Sequence, residues 1–157
     1  MKKQSGLTLI EIIIYVAIVG LMSTALTMMM INIMQLKTKS MAMQEVNQTL
    51  RFVADKINFE IRNAKSLGTI TSSSIATDRA SFTLNSGNIV MTVGSTVANL
   101  NSNLVNISGF VVTNLSSIDN KTKNINYVIT GNYKNTGGRS EFTYVNSVES
   151  SAEVRSK

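Results

Sequence analysis

Four residue types are missing from the 157-residue sequence: cysteine, histidine, proline and tryptophan. Without cysteine the chain cannot form a disulfide, even in a compartment that would permit one. Without cysteine and histidine it lacks the ligands of the usual zinc sites and the Ser-His and Cys-His pairs of nucleophilic catalysis. Phosphate-binding glycine loops and the Gly-x-Ser-x-Gly motif are also absent. The sequence therefore predicts no catalytic residue, no metal site and no cofactor, and a protein that is not an enzyme.

Charge is missing from a long N-terminal run. The 20 residues from Ile12 to Ile31 carry no charged side chain. Such a run can cross a hydrocarbon core of roughly 30 Å as a helix. Glu11 lies at the start of the run, where a carboxylate drawn inward costs about 2–3 kcal/mol or more. Glu11 is therefore a candidate functional residue that requires a partner.

The N-terminal segment resembles the class III signal of type IV prepilins and pseudopilins. Residues 2–11 read KKQSGLTLIE: a short basic leader that ends in glycine, an apolar residue, threonine, two aliphatic residues and glutamate. An apolar helix then follows, as it does in that family. Leu7 stands where phenylalanine is commonest, and leucine is a known variation there.

The resemblance implies processing steps and partners. A prepilin peptidase would cleave between Gly6 and Leu7, and the new amine of Leu7 would be N-methylated. Glu11 would serve filament assembly by pairing with that amine on its own chain, at i and i+4 on one helix face, or on a neighbouring subunit. The implied partners are the peptidase, other pilin or pseudopilin subunits, the inner-membrane assembly platform and the lipid bilayer. Nucleic acid would be a partner only in a DNA-uptake pilus.

Two other interpretations of the N-terminal segment stay open. An ordinary signal anchor would keep its leader and hold an extracytoplasmic binding domain at the membrane. A cleaved secretory signal could end at Ser23-Thr24-Ala25, but Glu11 would then lie inside its apolar region. The apolar run also continues past that site to Ile31, unlike a signal peptide.

Basic residues predict the orientation in the membrane. Lys2 and Lys3 contribute to a net charge of +6 and precede the apolar run, which predicts a cytoplasmic N-terminus with the rest of the chain outside. Later positive charge is interpreted as a solvated loop rather than a nucleic-acid site. Its densest group consists of Lys121, Lys123, Lys134 and Arg139.

Residues 7 to about 66 are predicted to form one helix. Its first half is apolar all round, and Met28 stands where major pilins often carry proline, which favours a continuous helix. In the second half apolar residues recur at spacings of three and four, so the domain after the helix must cover this stripe. The stripe consists of Val46, Leu50, Val53, Ile57, Ile61 and Ala64. Phe52 and Phe59 lie to one side of it.

The helix is predicted to end at Ser66-Leu67-Gly68, with Gly68 just beyond its last turn. Thr69–Arg79 is rich in serine and threonine and is predicted to be an exposed loop or a weak edge strand. Alternating apolar residues and turn signals predict strands after it. The predicted strands are Ser81–Leu84, Asn88–Val93, Phe110–Leu115, Ile125–Asn132 and Ser140–Val145. We therefore expect an α+β fold, in which the second half of the helix packs on an antiparallel sheet.

The predicted organisation is a leader at 1–6, a transmembrane or filament-core helix at 7–36, an amphipathic half at 37–66 and a β-rich domain at 67–157 with a frayed tail. This organisation suits a single-pass membrane protein that later enters a cell-surface or periplasmic filament. The filament could be a type IV pilus, a competence pilus or a secretion pseudopilus. Many major pilins carry a C-terminal disulfide loop, so a chain without cysteine favours a minor subunit.

Overall fold

The computed structural model describes residues 8–117 and 122–155. One helix, α1, occupies Leu9–Asn63, and antiparallel strands follow it along the chain. The chain divides into two compact units, Met1–Thr38 and Lys39–Lys157. The α+β arrangement predicted from the sequence, with one long N-terminal helix before the sheets, is confirmed.

The first unit is helical from Leu9. The carbonyl oxygen of Thr8 accepts hydrogen bonds from the backbone N–H groups of Glu11 and Ile12, at N–O distances of 3.1 and 3.3 Å. The most apolar 18-residue window of α1 has a mean hydropathy of 2.3, and none of it is buried. Within the described residues α1 is the one helix long and apolar enough to cross a membrane, a test that signal sequences near the N-terminus also pass.

The helix ends at Asn63, a little earlier than the predicted end at Ser66. The carboxylate of Asp78 accepts hydrogen bonds from the backbone N–H groups of Lys65 and Ser66, at 3.0 and 3.4 Å. These bonds hold the chain in a new direction just after the helix. Gly68, predicted to lie just beyond the helix, is part of the first strand instead.

The amphipathic stripe in the second half of α1 is confirmed. All six predicted positions are buried, and Phe52 and Phe59 are 54% and 57% exposed. Leu50 lies directly against Gly131, where a Cβ atom would come within 3.0 Å of Leu50 Cδ2. Glycine at 131 therefore lets the helix approach the strand that carries it.

A five-stranded antiparallel sheet follows the helix in strict chain order. Its strands are β1 (Leu67–Thr71), β2 (Ser74–Thr77), β3 (Ser81–Asn85), β4 (Asn88–Val93) and β5 (Thr96–Asn99).

The predicted strands Ser81–Leu84 and Asn88–Val93 are confirmed as β3 and β4, which pair as a hairpin. Its two turn residues, Ser86 and Gly87, both have positive φ values, 48° and 77°. This is the signature of a two-residue turn whose twist matches that of the flanking strands.

The segment Thr69–Arg79, predicted to be an exposed loop or a weak edge strand, contributes to the edge strand β1 but also contains the inner strand β2, and β5 was not predicted. Most of that segment belongs to the hairpin of β1 and β2. Ile75 in β2 lies in a part of the sequence rich in serine and threonine, and it is completely buried. Its contact with the core orders the hairpin.

A second, three-stranded antiparallel sheet completes the fold, where one sheet was expected. Its strands are β6 (Val105–Asn114), β7 (Asn124–Tyr133) and β8 (Val145–Glu153). The predicted strands at 110–115 and 125–132 correspond to parts of β6 and β7. Residues 118–121, between these two strands, lie outside the described residues.

The predicted strand Ser140–Val145 is wrong. Ser140–Phe142 forms a short 3-10 helix, and the Phe142 ring stacks on Tyr133 with centroids 5.3 Å apart. This stack holds Phe142 beside the end of β7 instead of in a strand. The prediction of a frayed tail is also wrong for the residues up to Glu153, because β8 continues to that residue.

Backbone contacts join the two sheets along β6. The N–H of Val112 donates to the carbonyl of Ser72 at 3.1 Å, and that of Ile107 donates to Gly87 at 2.9 Å. Turns of the five-stranded sheet thus supply acceptors to two backbone N–H groups of β6. The buried side chain of Asn101 also links the two sheets by hydrogen bonds. Its Oδ1 accepts from Ile89 N in β4 at 3.0 Å, and its Nδ2 donates to Val105 O in β6 at 2.8 Å.

Tyr127 in β7 connects the three-stranded sheet to the helix. Its side chain is fully buried, and its hydroxyl lies 2.9 Å from the carbonyl oxygen of Ala54 and 2.8 Å from Asn58 Oδ1. Asn58 Nδ2 in turn donates to Ser150 Oγ in β8 at 3.0 Å. Helix α1 and both strands therefore share one polar network that runs from the buried Tyr127 to the partly buried Asn58 and Ser150.

The stability of the C-terminal unit should fall at alkaline pH. Burial raises the pKa of Tyr127 from 10.0 to about 12. Between these two pKa values the folded state keeps the phenol proton and the unfolded chain loses it. The free energy of unfolding is therefore not lowered by Tyr127 below pH 10, and it falls as the pH rises from 10 towards 12. The loss should reach about 3 kcal/mol. Denaturant unfolding across this pH range measures it. A Tyr127→Phe variant with the same slope would show that another group causes the loss.

Candidate functional site

The residues predicted to be processed precede the described part of the chain. Gly6 and Leu7, the expected cleavage and methylation positions, lie outside the described residues. Their roles stay predictions from the sequence. Glu11, the third predicted site residue, is described and lies in the first turn of α1.

Thr8 and Glu11 form a pattern that caps the start of α1. Thr8 precedes the first helical residue, and the carboxylate of Glu11 turns back toward it. The Thr8 backbone N–H and hydroxyl group both lie 3.5 Å from Glu11 Oε2. Threonine followed three residues later by glutamate is the sequence signature of a capping box. Sequence reasoning missed this role, although the spacing alone could have indicated it.

Tyr15 contacts the other oxygen of the same carboxylate. Its hydroxyl donates toward Glu11 Oε1 across 3.4 Å. Positions 11 and 15 are separated by one helical turn and share a face. Glu11 is only partly exposed, whereas residues 12–37 are exposed throughout. Tyr15 did not appear among the predicted site residues, and its i+4 spacing from Glu11 was the available signal.

Two residues of the densest basic group, Lys123 and Lys134, do not lie side by side. Lys123 immediately precedes β7 and Lys134 immediately follows it, so they lie at opposite ends of this 10-residue strand. Such a strand is about 30 Å long. Lys121 lies outside the described residues.

Two surface pockets lie in the C-terminal unit, with volumes of about 410 and 290 Å³. Neither includes a residue of the N-terminal motif. Asp55, Asn58, Phe59, Arg62, Asn63 and Arg155 line the larger one. Glu45, Gln48, Thr49, Phe52, Leu100, Asn101 and Ser102 line the smaller one. Within the residues that the structure describes, no group of three or more acidic side chains is placed to hold a metal ion.

Comparison with known proteins identifies the N-terminal segment. Residues 1–27 match the family described as the prokaryotic N-terminal methylation motif. The match covers 27 of the 157 residues and includes Gly6, Leu7, Glu11 and Tyr15. No curated protein and no solved structure matches the chain.

The chain thus carries a class III signal peptide of the type IV prepilin kind, as the residue pattern predicted. Together with the apolar helix near the N-terminus, the motif supports a type IV pilin-like precursor. A pilin-like precursor is a structural protein, which is consistent with the expectation of a non-enzyme. The apolar helix also fits membrane anchoring with a C-terminal domain.

Proposed function

We propose that this chain is a structural subunit of a type IV pilus, a competence pilus or a secretion pseudopilus. The observation that carries the proposal is the methylation motif at residues 1–27, placed directly on an apolar helix. In this proposal the subunit is first held in the cytoplasmic membrane, with its N-terminus in the cytoplasm and its C-terminal unit outside the membrane. A prepilin peptidase removes residues 1–6, Leu7 is methylated, and the assembly platform then moves the subunit into a filament.

The absence of cysteine supports a minor subunit rather than a major one. The resemblance implies a disulfide loop near the C-terminus in many major pilins, and this chain contains no cysteine to form it. Its partners would then be other pilin or pseudopilin subunits, placed next to it in the filament.

Glu11 is proposed as the docking charge. No basic side chain lies between Lys3 and Lys37, so the positive group within reach after cleavage is the Leu7 amine or its copy on a neighbour. In an apolar environment such a pair is attractive, although desolvation removes much of the gain. The charge therefore favours docking of one subunit against the next rather than folding of the C-terminal unit.

Replacing Glu11 with glutamine should lower incorporation into filaments. Glutamine keeps the size of the side chain and removes its charge. A neutral amide is easier to bury than a carboxylate, so the amount in the membrane should be unchanged or slightly higher. The measurement is a fractionation of sheared filaments against membranes, with both fractions blotted for this subunit.

Thermal melting of the C-terminal unit supplies the control, because Glu11 lies in the other compact unit and the melting should not change. Equal incorporation of wild type and Glu11→Gln would show that Glu11 is not the docking charge. A subunit that is added first, at the filament tip, has no earlier neighbour to dock against. In that position Glu11→Gln could enter filaments as the wild type does. Cross-linking to partner subunits in the same membranes covers this case, because Glu11→Gln should then recover fewer partners.

A further inference from the structure

Tyr15 differs from the other hydroxyl side chains of the uncharged run. Ser23, Thr24 and Thr27 each donate to a backbone carbonyl one turn earlier, at 2.8 Å. Serine and threonine in a helix usually satisfy their hydroxyl groups with this kind of hydrogen bond. The hydroxyl of Tyr15 stands at the end of a ring and donates toward the Glu11 carboxylate instead.

The helix geometry places Tyr15 on the side of Glu11 that faces away from the N-terminus. Side chains of a helix lean toward its N-terminal end, so residue 15 leans over residue 11. Thr8 contacts Oε2 and Tyr15 contacts Oε1. The remaining neighbour at i+3, Ile14, has no donor. Tyr15 is therefore the side-chain donor on the C-terminal side of this carboxylate.

We propose that Tyr15 is a positioning residue for Glu11. Its hydroxyl holds Oε1 so that the carboxylate is directed toward the helix start, where the partner amine must arrive. In an apolar environment without water, a donor to the ionised carboxylate also offsets part of the desolvation of that charge. The inference rests on the proposed function of Glu11 and adds the residue that sets the direction of its carboxylate.

Tyr15→Phe removes one hydroxyl group and keeps the ring. We expect incorporation into filaments to fall by about tenfold, the order expected when one hydrogen bond to a charged group is lost. The amount of full-length chain in the membrane should not change. Ser23→Ala is the matched control, because it removes a hydroxyl of the same helix that bonds only to the backbone, and its incorporation should equal that of the wild type.

The double variant Glu11→Gln with Tyr15→Phe tests whether the two residues act together. If Tyr15 acts through Glu11, the double variant should lose no more incorporation than Glu11→Gln alone. Additive losses, or a loss of the protein from the membrane in Tyr15→Phe, would overturn the positioning role. Wild-type incorporation of Tyr15→Phe beside a defective Glu11→Gln would also overturn it, while leaving the proposed function intact. Wild-type incorporation and wild-type partner cross-linking of Glu11→Gln would remove the proposed docking role of Glu11, on which this inference rests.

Discussion

Replacing Leu50 with aspartate should abolish cooperative folding of the C-terminal unit. Leu50 is completely buried and lies against Gly131. An unpaired buried charge costs about 3–5 kcal/mol, and the lost apolar contacts add about 2–5 kcal/mol. The sum is comparable to the whole stability of a small domain, about 5–15 kcal/mol. Near-ultraviolet circular dichroism of the full chain in a nonionic detergent would follow the loss, because three of its four tyrosines lie in this unit.

Phe52→Asp is the matched control for this experiment. Phe52 lies on the same helix, close in sequence to Leu50, and is 54% exposed. An aspartate there remains in water, so the melting temperature should change by a few degrees at most. Equal destabilisation by both substitutions would show that the helix itself, and not burial of its stripe, is sensitive to charge. Unchanged melting of Leu50→Asp would contradict the packing of α1 on the sheets.

Replacing Gly6 with valine should leave the leader attached to essentially all of the protein. The resemblance to prepilins implies a peptidase that accepts glycine at this position, and a branched side chain should not fit the same pocket. Intact-mass analysis of membrane protein would show a chain that begins at Met1 in the variant and at a methylated Leu7 in the wild type.

Ser5→Ala provides the comparison for processing, since it changes the neighbouring leader residue and keeps Gly6. It should be cleaved like the wild type. A wild-type chain that still begins at Met1, in cells with an active prepilin peptidase, would favour the signal anchor and its alternative function as a membrane-held binding domain. Cleavage of Gly6→Val at an unchanged rate would contradict only the role of Gly6 in recognition by the peptidase.

The N-terminal signal could be read from the sequence because its information is local. Ten consecutive residues, 2–11, carry the order and spacing, and no tertiary contact is needed to recognise them. The same local reasoning predicted the buried stripe of α1, because a helix repeats every 3.6 residues and places such positions on one face. The contact of Tyr15 with Glu11 is a matter of i and i+4 spacing as well and could have been predicted.

Strand β8 shows where local reasoning fails. Two of its inward positions are polar, Asn146 and Ser150, so the segment does not alternate as a half-buried strand should. The structure pairs them with polar residues of the helix: Asn146 Nδ2 donates to Asn47 Oδ1 at 2.7 Å, and Asn58 Nδ2 donates to Ser150 Oγ at 3.0 Å. These partners are more than 90 residues away in sequence, so a local pattern could not reveal them.

Local sequence was sufficient for the prepilin-like signal, the uncharged run, the long helix and its buried stripe, because each depends on residues close together in the chain. Tertiary contacts were needed for the division into two sheets and for the strand at Val145–Glu153. They also bring Asn58, Tyr127 and Ser150 into one partly buried network. The physical reason is that sheet pairing and buried polar bonds join distant residues, and the favourable energy of each depends on a partner that the local sequence does not contain.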